Sequence, residues 1–289
     1  MTLRGIIPPL PTPFDSEGAF DAEAQKQLIQ ALEPNVDGFL ILGSNGEAAF
    51  LSEAERKEVL EQARAIIPKT KSMIAGTGGE ATRTVIERNR TAAEVGADFV
   101  LVVAPFYFRG QMSDAVLEKH YRTVADESPL PVLLYNIPQA TTLSLSPGLV
   151  AKLAEHPNIV GIKDSSGNVG ALTEMMRQVP EDFTILTGNA PTLLPALSLG
   201  AKGGILAVAN VAPKAYKRII DYFEVGKLGE ARALQLRLNP LALAVTSRYG
   251  VPGLKAALRL QGHTGYPRAP LQDVSKEVEQ ELKGLLELT

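Results

Sequence analysis

Lys163 lies near the end of the apolar run Ile159-Val160-Gly161-Ile162-Lys163-Asp164-Ser165-Ser166-Gly167. In a strand successive side chains turn to opposite faces, so Gly161, Lys163 and Ser165 share one face and Val160 and Ile162 the other. An amine and a hydroxyl therefore meet at the end of a buried strand. An unpaired ammonium is costly to bury, and a neutral amine attacks ketones to give a Schiff base. A strand-end lysine can also run its stem along apolar surface into water, so its companions decide between the two. Tyr135 closes the run Pro131-Val132-Leu133-Leu134-Tyr135. A phenol there can shuttle protons, although a single strand tyrosine more often packs with its hydroxyl paired. Gly43-Ser44-Asn45-Gly46-Glu47 places two polar residues between glycines. Such a turn can converge backbone N–H groups on a carboxylate, with Ser44 and Asn45 as added donors. Glu47 reads as a stabiliser of this loop or of the helix that follows. Tyr107, between Phe106 and Phe108, reads as packing or interface.

Other chemistries find no support. The three histidines, His120, His156 and His263, are scattered, and none stands at ligand spacing from another, so no metal site is expected. The chain of 289 residues has no cysteine, which excludes disulfides, thiolate metal sites and cysteine nucleophiles. No Gly-x-Ser-x-Gly elbow or Walker loop occurs, and Gly76-Thr77-Gly78-Gly79 resembles a phosphate-binding turn only loosely. A net charge of −3, without a basic tail or an aromatic–basic stripe, points away from nucleic acid. Met1-Thr2-Leu3-Arg4-Gly5 runs into a strand-like segment without the pattern of a signal peptide. No stretch approaches the ~20 apolar residues of a membrane helix. A soluble, cytoplasmic protein is the expectation.

The elements that must position these residues recur roughly every 25–35 residues, on the order of one βα unit each. Short apolar runs cover Gly5–Pro9, Gly38–Gly43, Ser72–Gly76, Phe99–Ala104, Val132–Tyr135, Ile159–Lys163, Phe183–Thr187 and Gly204–Ala209. Amphipathic segments separate them, several with N-terminal signals: Ser52-Glu53-Ala54-Glu55, Ser113-Asp114 and Ser146-Pro147. Eight such units predict an α/β fold, a (β/α)₈ barrel. A doubly wound open sheet would carry a glycine-rich dinucleotide turn after its first strand, where Pro8-Pro9-Leu10-Pro11-Thr12-Pro13 stands instead. From Pro213 the pattern is helical, over roughly 213–225, 227–247, 252–260 and 273–288. We read 1–225 as the barrel with the active site and 226–289 as a helical C-terminal extension. In such a barrel the reactive groups stand at the C-terminal strand ends, where Ser44, Tyr135 and Lys163 all fall.

These motifs, in this order, resemble the pyruvate-dependent class I aldolases of the dihydrodipicolinate synthase / N-acetylneuraminate lyase family. The likeness runs from Gly5-Ile6-Ile7-Pro8-Pro9 through Gly43-Ser44-Asn45-Gly46-Glu47, Tyr135-Asn136-Ile137-Pro138, Gly161-Ile162-Lys163-Asp164-Ser165 and Gly203-Gly204-Ile205, and continues into the C-terminal helices. The resemblance implies the barrel with a helical extension, a lysine Schiff base with an α-keto acid, no metal or organic cofactor, and a homotetramer built as a dimer of dimers. Lys163 matches the Schiff-base lysine and Tyr135 the proton-relay tyrosine. Ser44 and Asn45 fall where the family binds the keto-acid carboxylate, with Ser44 also in the relay. Tyr107 matches the tyrosine that reaches the neighbouring subunit's site. Gly188 and Ile205 match backbone positions lining the pocket, and Ser165 stands near the distal part of the substrate.

The chain departs from dihydrodipicolinate synthases at two places. They carry two threonines where Ser44-Asn45 stand, and an arginine where Ala140 stands. That arginine's fork holds the aldehyde partner's carboxylate. Together with His156-Pro157-Asn158-Ile159-Val160-Gly161, Ala209-Asn210-Val211 and Arg268-Ala269-Pro270-Leu271, the pattern looks most like the 4-hydroxy-2-oxoglutarate aldolase branch. The expected reaction is then cleavage of that keto acid to pyruvate and the aldehyde glyoxylate, or the reverse condensation. Dihydrodipicolinate synthase and 2-keto-3-deoxy sugar-acid aldolase are the alternatives within the family. A sugar-phosphate-binding barrel isomerase, using Gly188 and Gly203-Gly204 as a phosphate nest, is the rival from another class. It leaves Lys163 and Tyr135 unexplained together.

Overall fold

The computed structural model describes residues 3–289, so Met1 and Thr2 of the N-terminal segment read above lie outside the described residues. Eight strands form one parallel sheet: β1 Gly5–Ile7, β2 Gly38–Ile41, β3 Ser72–Gly76, β4 Phe99–Val103, β5 Val132–Asn136, β6 Ile159–Asp164, β7 Thr184–Thr187 and β8 Gly203–Ile205. Their order is β1-β8-β7-β6-β5-β4-β3-β2, and a parallel bridge from Pro9 to Leu40 brings β1 beside β2. The sheet is thereby a (β/α)₈ barrel. Alternation divides the apolar residues between two cores. Ile7, Leu40, Ile74, Leu101, Leu133 and Leu186 fill the barrel interior. Phe39, Met73, Val100, Leu134, Ile162 and Ile185 face the helices.

The helices are α1 Ala22–Leu32, α2 Glu53–Ile66, α3 Thr82–Val95, α4 Asp114–Glu127, α5 Pro138–Thr141, α6 Pro147–Ala154, α7 Val169–Gln178, α8 Leu193–Leu199, α9 Pro213–Glu224, α10 Leu228–Leu243, α11 Gly250–Leu260 and α12 Lys276–Leu286. Local chemistry sets their starts. Ser52 and Glu55 form a complete capping box at α2, and Ser146 caps α6 with Pro147 at its first position. Helices α10–α12 share the outer core of the barrel rather than building their own, through Leu238, Leu241, Leu254, Leu258 and Leu282. Gln235 clamps α10 to the segment after β7, accepting from Leu194 N and donating to Pro191 O, both at 2.7 Å.

Three expectations need correction. The segment 227–247 is not one helix: α10 contains Pro240 and ends at Leu243, and a π turn spans Ala244–Arg248. Proline lacks the N–H that would continue the ladder, and a π turn absorbs the mismatch. Strand β8 stops at Ile205 instead of reaching Ala209, because Ala207–Asn210 wind into a 3₁₀ turn. Asn210 Nδ2 pins that turn by donating to Ala207 O at 2.9 Å and Pro9 O at 3.0 Å. Finally, Val160 does not share the face of Ile162. The β5–β6 register shifts so that Val132 pairs with Ile159 but Leu133 with Gly161, and Val160 packs on the interior cluster. A bulge breaks strict alternation in this way.

Candidate active site

The β4–β5–β6 register pairs Val103 with Tyr135 and Tyr135 with Lys163. In a parallel ladder paired residues point to the same face, so the phenol and the amine stand side by side inside the barrel mouth. Lys163 Nζ lies 4.1 Å from the centroid of the Tyr135 ring. Lys163 is 4% exposed and Tyr135 5%. Among the described residues no carboxylate or other polar atom pairs with the Lys163 ammonium, which leaves the ring face as its polar neighbour. Tyr135 Oη is 3.5 Å from Ser44 Oγ, at the outer limit of a hydrogen bond. The amine, the phenol and the serine hydroxyl thus form one chain across the barrel from β6 to β2.

Next to them, Gly188 is required by close approach. A Cβ there would stand 1.9 Å from Ser165 Oγ and 3.0 Å from Lys163 Cε. Ser165 is accordingly at the lysine, as strand alternation predicts. The strand ends are clasped from behind: Asn136 Nδ2 donates to Asp164 Oδ1 at 2.6 Å, and Ser166 Oγ to Asp164 Oδ2 at 2.7 Å. Gln139 Nε2 donates to the carbonyls of Ser165 and Ser166.

Ser44 opens a 3₁₀ turn, Ser44–Gly46, flanked by two left-handed residues, Leu42 at φ 61° and Glu47 at φ 53°. Each costs on the order of 1–2 kcal/mol for a side chain with a Cβ. Thr12 Oγ1 holds the turn by donating to Gly46 O at 2.7 Å. The side chain of Asn45 is half-buried; its amide nitrogen has no partner and the residue does not line the cavity described next.

A cavity of about 600 Å³ is lined by Ser44, Tyr107, Tyr135, Leu101, Val103, Ile137 and Ala140, and by Val251 and Leu271 of the C-terminal helical segment; Lys163, Ser165, Gly188 and Ile205 are not among its lining residues. Ile205 belongs to the interior cluster that also holds Tyr135. Tyr107 is 75% exposed, with Phe106 and Phe108 beside it. Glu80 fixes this loop by accepting from Phe106 N and Tyr107 N, both at 2.9 Å. Sequence reasoning missed Glu80, Arg56 and Arg88 on the outer wall of the cavity. Arg56 donates to Ala48 O and Gly76 O, and Arg88 pairs with Glu53. No spacing rule links residues so far apart in the chain.

The histidines stand apart from the site. His120 is buried against Thr82, its Nδ1 2.8 Å from Oγ1, and burial pushes the imidazole down to about 4. His156 pairs with Asp126. No cluster of three or more His, Asp or Glu side chains suited to a metal occurs among the described residues. The glycines of the isomerase reading serve packing: a Cβ on Gly203 would meet Gly5 O at 2.0 Å, and one on Gly204 the Leu206 side chain at 2.9 Å. The same holds for Gly76 and Gly78, packed on Leu42 and Val103. No helix among the described residues is long and apolar enough to cross a membrane.

Known proteins share this arrangement over the whole chain. A curated relative from Exiguobacterium sp., a 4-hydroxy-tetrahydrodipicolinate synthase, is 35% identical over 285 residues, covering 98% of this chain and 97% of its own. The enzyme of the same name from Archaeoglobus fulgidus is 36% identical over 285 residues, with the same coverage, 98% and 97%. Among solved structures, a dihydrodipicolinate synthase from Bacillus anthracis superposes with a TM-score of 0.95 at 30% identity, covering 99% of both chains. A prophage protein of the dihydrodipicolinic acid synthase family from E. coli K12, solved in complex with pyruvate, gives 0.93 at 33% identity, again over 99% of both. The family is one of pyruvate-dependent class I carbon–carbon lyases, which work through a lysine Schiff base without a metal or organic cofactor. The model of the dihydrodipicolinate synthetase family matches residues 2–289, and with a lysine–tyrosine–serine chain standing in the mouth of the barrel, this protein belongs to that family.

Proposed function

We propose that this chain joins pyruvate to an aldehyde, or runs the reverse cleavage, through a Schiff base on Lys163. The observation that carries this reading is the Lys163 amine, buried without an ion pair and 4.1 Å from the Tyr135 ring centroid. In its neutral form the amine attacks the C2 ketone, and loss of water from the adduct leaves an iminium. The iminium withdraws electrons from C3, so a C3 proton can leave to give an enamine, and the enamine carbon attacks the aldehyde. In reverse, the C3–C4 bond breaks and its electron pair enters the same sink. Tyr135 is the proton carrier at the amine, with Ser44 next in line at 3.5 Å. The turn around Ser44 and Asn45 receives the C1 carboxylate, through Ser44 Oγ and backbone N–H groups. Ser165, Gly188 and Ile205 bound the substrate on the lysine's side.

The names of the curated relatives support 4-hydroxy-tetrahydrodipicolinate synthesis, the condensation of pyruvate with aspartate semialdehyde, over the 4-hydroxy-2-oxoglutarate cleavage to which the motifs pointed. One observation favours a second reading, an uncharged aldehyde such as a sugar-acid aldolase releases. Around Ala140 the cavity wall is apolar, Ile137, Val251 and Leu271, and the cations elsewhere on it, Arg56 and Arg88, are already engaged by Ala48 O, Gly76 O and Glu53. Borohydride reduction with pyruvate should label Lys163 alone in a peptide map; label elsewhere, or none in active protein, defeats the mechanism. Parallel kinetics with aspartate semialdehyde, glyoxylate and glyceraldehyde then rank the partners.

The family also supports a cytoplasmic homotetramer, a dimer of dimers in which Tyr107 completes a neighbour's site. The exposed Phe106, Tyr107 and Phe108, at 41%, 75% and 68%, suit such an interface. A monomeric dihydrodipicolinate synthase variant shares this fold at a TM-score of 0.94 and 28% identity. Sedimentation checks the assembly, and a monomer with full activity would remove Tyr107 from a shared site.

A further inference from the structure

Glu47 closes the turn that presents Ser44, and its backbone is left-handed, at φ 53°. Glycine or asparagine would take that conformation more easily. Something outside the turn must hold a glutamate there. Its carboxylate is buried, with Oε1 in an ion pair with Lys255 Nζ of α11 and Oε2 accepting from Arg268 N at 2.8 Å. Lys255 is itself 2% exposed and donates to Tyr266 O at 2.7 Å. Its ammonium lies 4.4 Å from the centroid of the Phe14 ring, which the Arg268 guanidinium also covers at 4.1 Å. The loop after β1, the turn after β2 and the C-terminal segment therefore converge behind the carboxylate turn.

We propose that Lys255 is a positioning residue for pyruvate binding: through its buried ion pair with Glu47, the C-terminal helical segment holds the Ser44–Gly46 turn in the shape that receives the keto-acid carboxylate. This rests on the assignment of that turn to the carboxylate. Both side chains are almost wholly buried, so moving Glu47 away would leave a buried ammonium without its counter-ion. Burial lowers Lys255 to about 8 against the opposing pull of Glu47. Lys255 does not line the cavity. Its effect is on where Ser44 and the turn's amide groups stand.

The test is steady-state kinetics and pyruvate–borohydride trapping on the full-length wild type, Lys255→Met, Glu47→Gln and the double variant. The single variants should raise KM for pyruvate by about tenfold or more and lower kcat as Ser44 leaves the relay, with KM for the aldehyde within about threefold of wild type. The double variant buries no unpaired charge, so it folds where a single variant fails, and it should keep the raised pyruvate KM. A purely structural role would lower the melting temperature and leave this split untouched. A pyruvate KM within about twofold of wild type in folded Lys255→Met, or in the double variant if the single does not fold, overturns the proposal. Wild type that traps no pyruvate on Lys163 overturns instead the assignment of the site, and that arm is read before any variant.

Discussion

Two lysines are buried in this barrel, and they face opposite fates. Lys163 is 4% exposed and Lys255 2%. Each ammonium lies over an aromatic ring, Lys163 at 4.1 Å from Tyr135 and Lys255 at 4.4 Å from Phe14. Lys255 also has a carboxylate, Glu47, and a carbonyl, Tyr266 O. Lys163 has neither among the described residues. Burial alone therefore does not mark a nucleophile. An amine satisfied on several sides is a fixed cation, and an amine left unpaired beside the Tyr135 ring is free to react.

The comparison breaks most directly at Lys163. Lys163→Met should have no measurable turnover and unchanged or slightly raised thermal stability, because an apolar side chain replaces an unpaired polar one. A melting temperature that falls as far as that of Lys255→Met would erase the distinction. Tyr135→Phe should fold normally and lose roughly 10²–10⁴ in kcat, the range for a general acid/base; wild-type turnover would take the phenol out of the relay.

Lys255→Met tests the other half. Leaving Glu47 buried and unpaired should cost about 3–5 kcal/mol in denaturant unfolding, most of it regained in Glu47→Gln/Lys255→Met. Equal losses in single and double variants would mean that the two side chains do not act as a pair. The smallest effect concerns a buried base outside both sites. The His120 imidazole is held down at about 4, so between pH 6.5 and 4 the unfolded chain binds the proton and the native state does not. Stability from this group is present above pH 6.5 and is lost as pH falls, on the order of 2 kcal/mol between pH 7 and 5. His120→Gln should flatten that part of the stability profile, and an unchanged slope would assign it to other groups.

Much of the barrel was legible because parallel strands buried on both faces read as short apolar runs. All eight strands lie where those runs fall, and Ser44, Tyr135 and Lys163 stand at or just beyond their strand ends. The misses have local causes. Val160 sits in a bulge that no alternation rule signals. Pro240 lies inside a helix that the period alone would carry to 247. The motif that nominates Asn45 says nothing of its side chain's direction, and that side chain stays off the cavity wall.

The amino-acid sequence by itself determined the eightfold βα repeat, the strand-end positions of the amine and the phenol, and the glycine-flanked turn, because each is written within a few consecutive residues. Tertiary structure alone decided which of two lysines is left without a partner. It also decided that Val251 and Leu271 wall the cavity, and that Lys255 reaches under Glu47. Those facts depend on which distant segments share a volume once the barrel closes, and no local spacing encodes that.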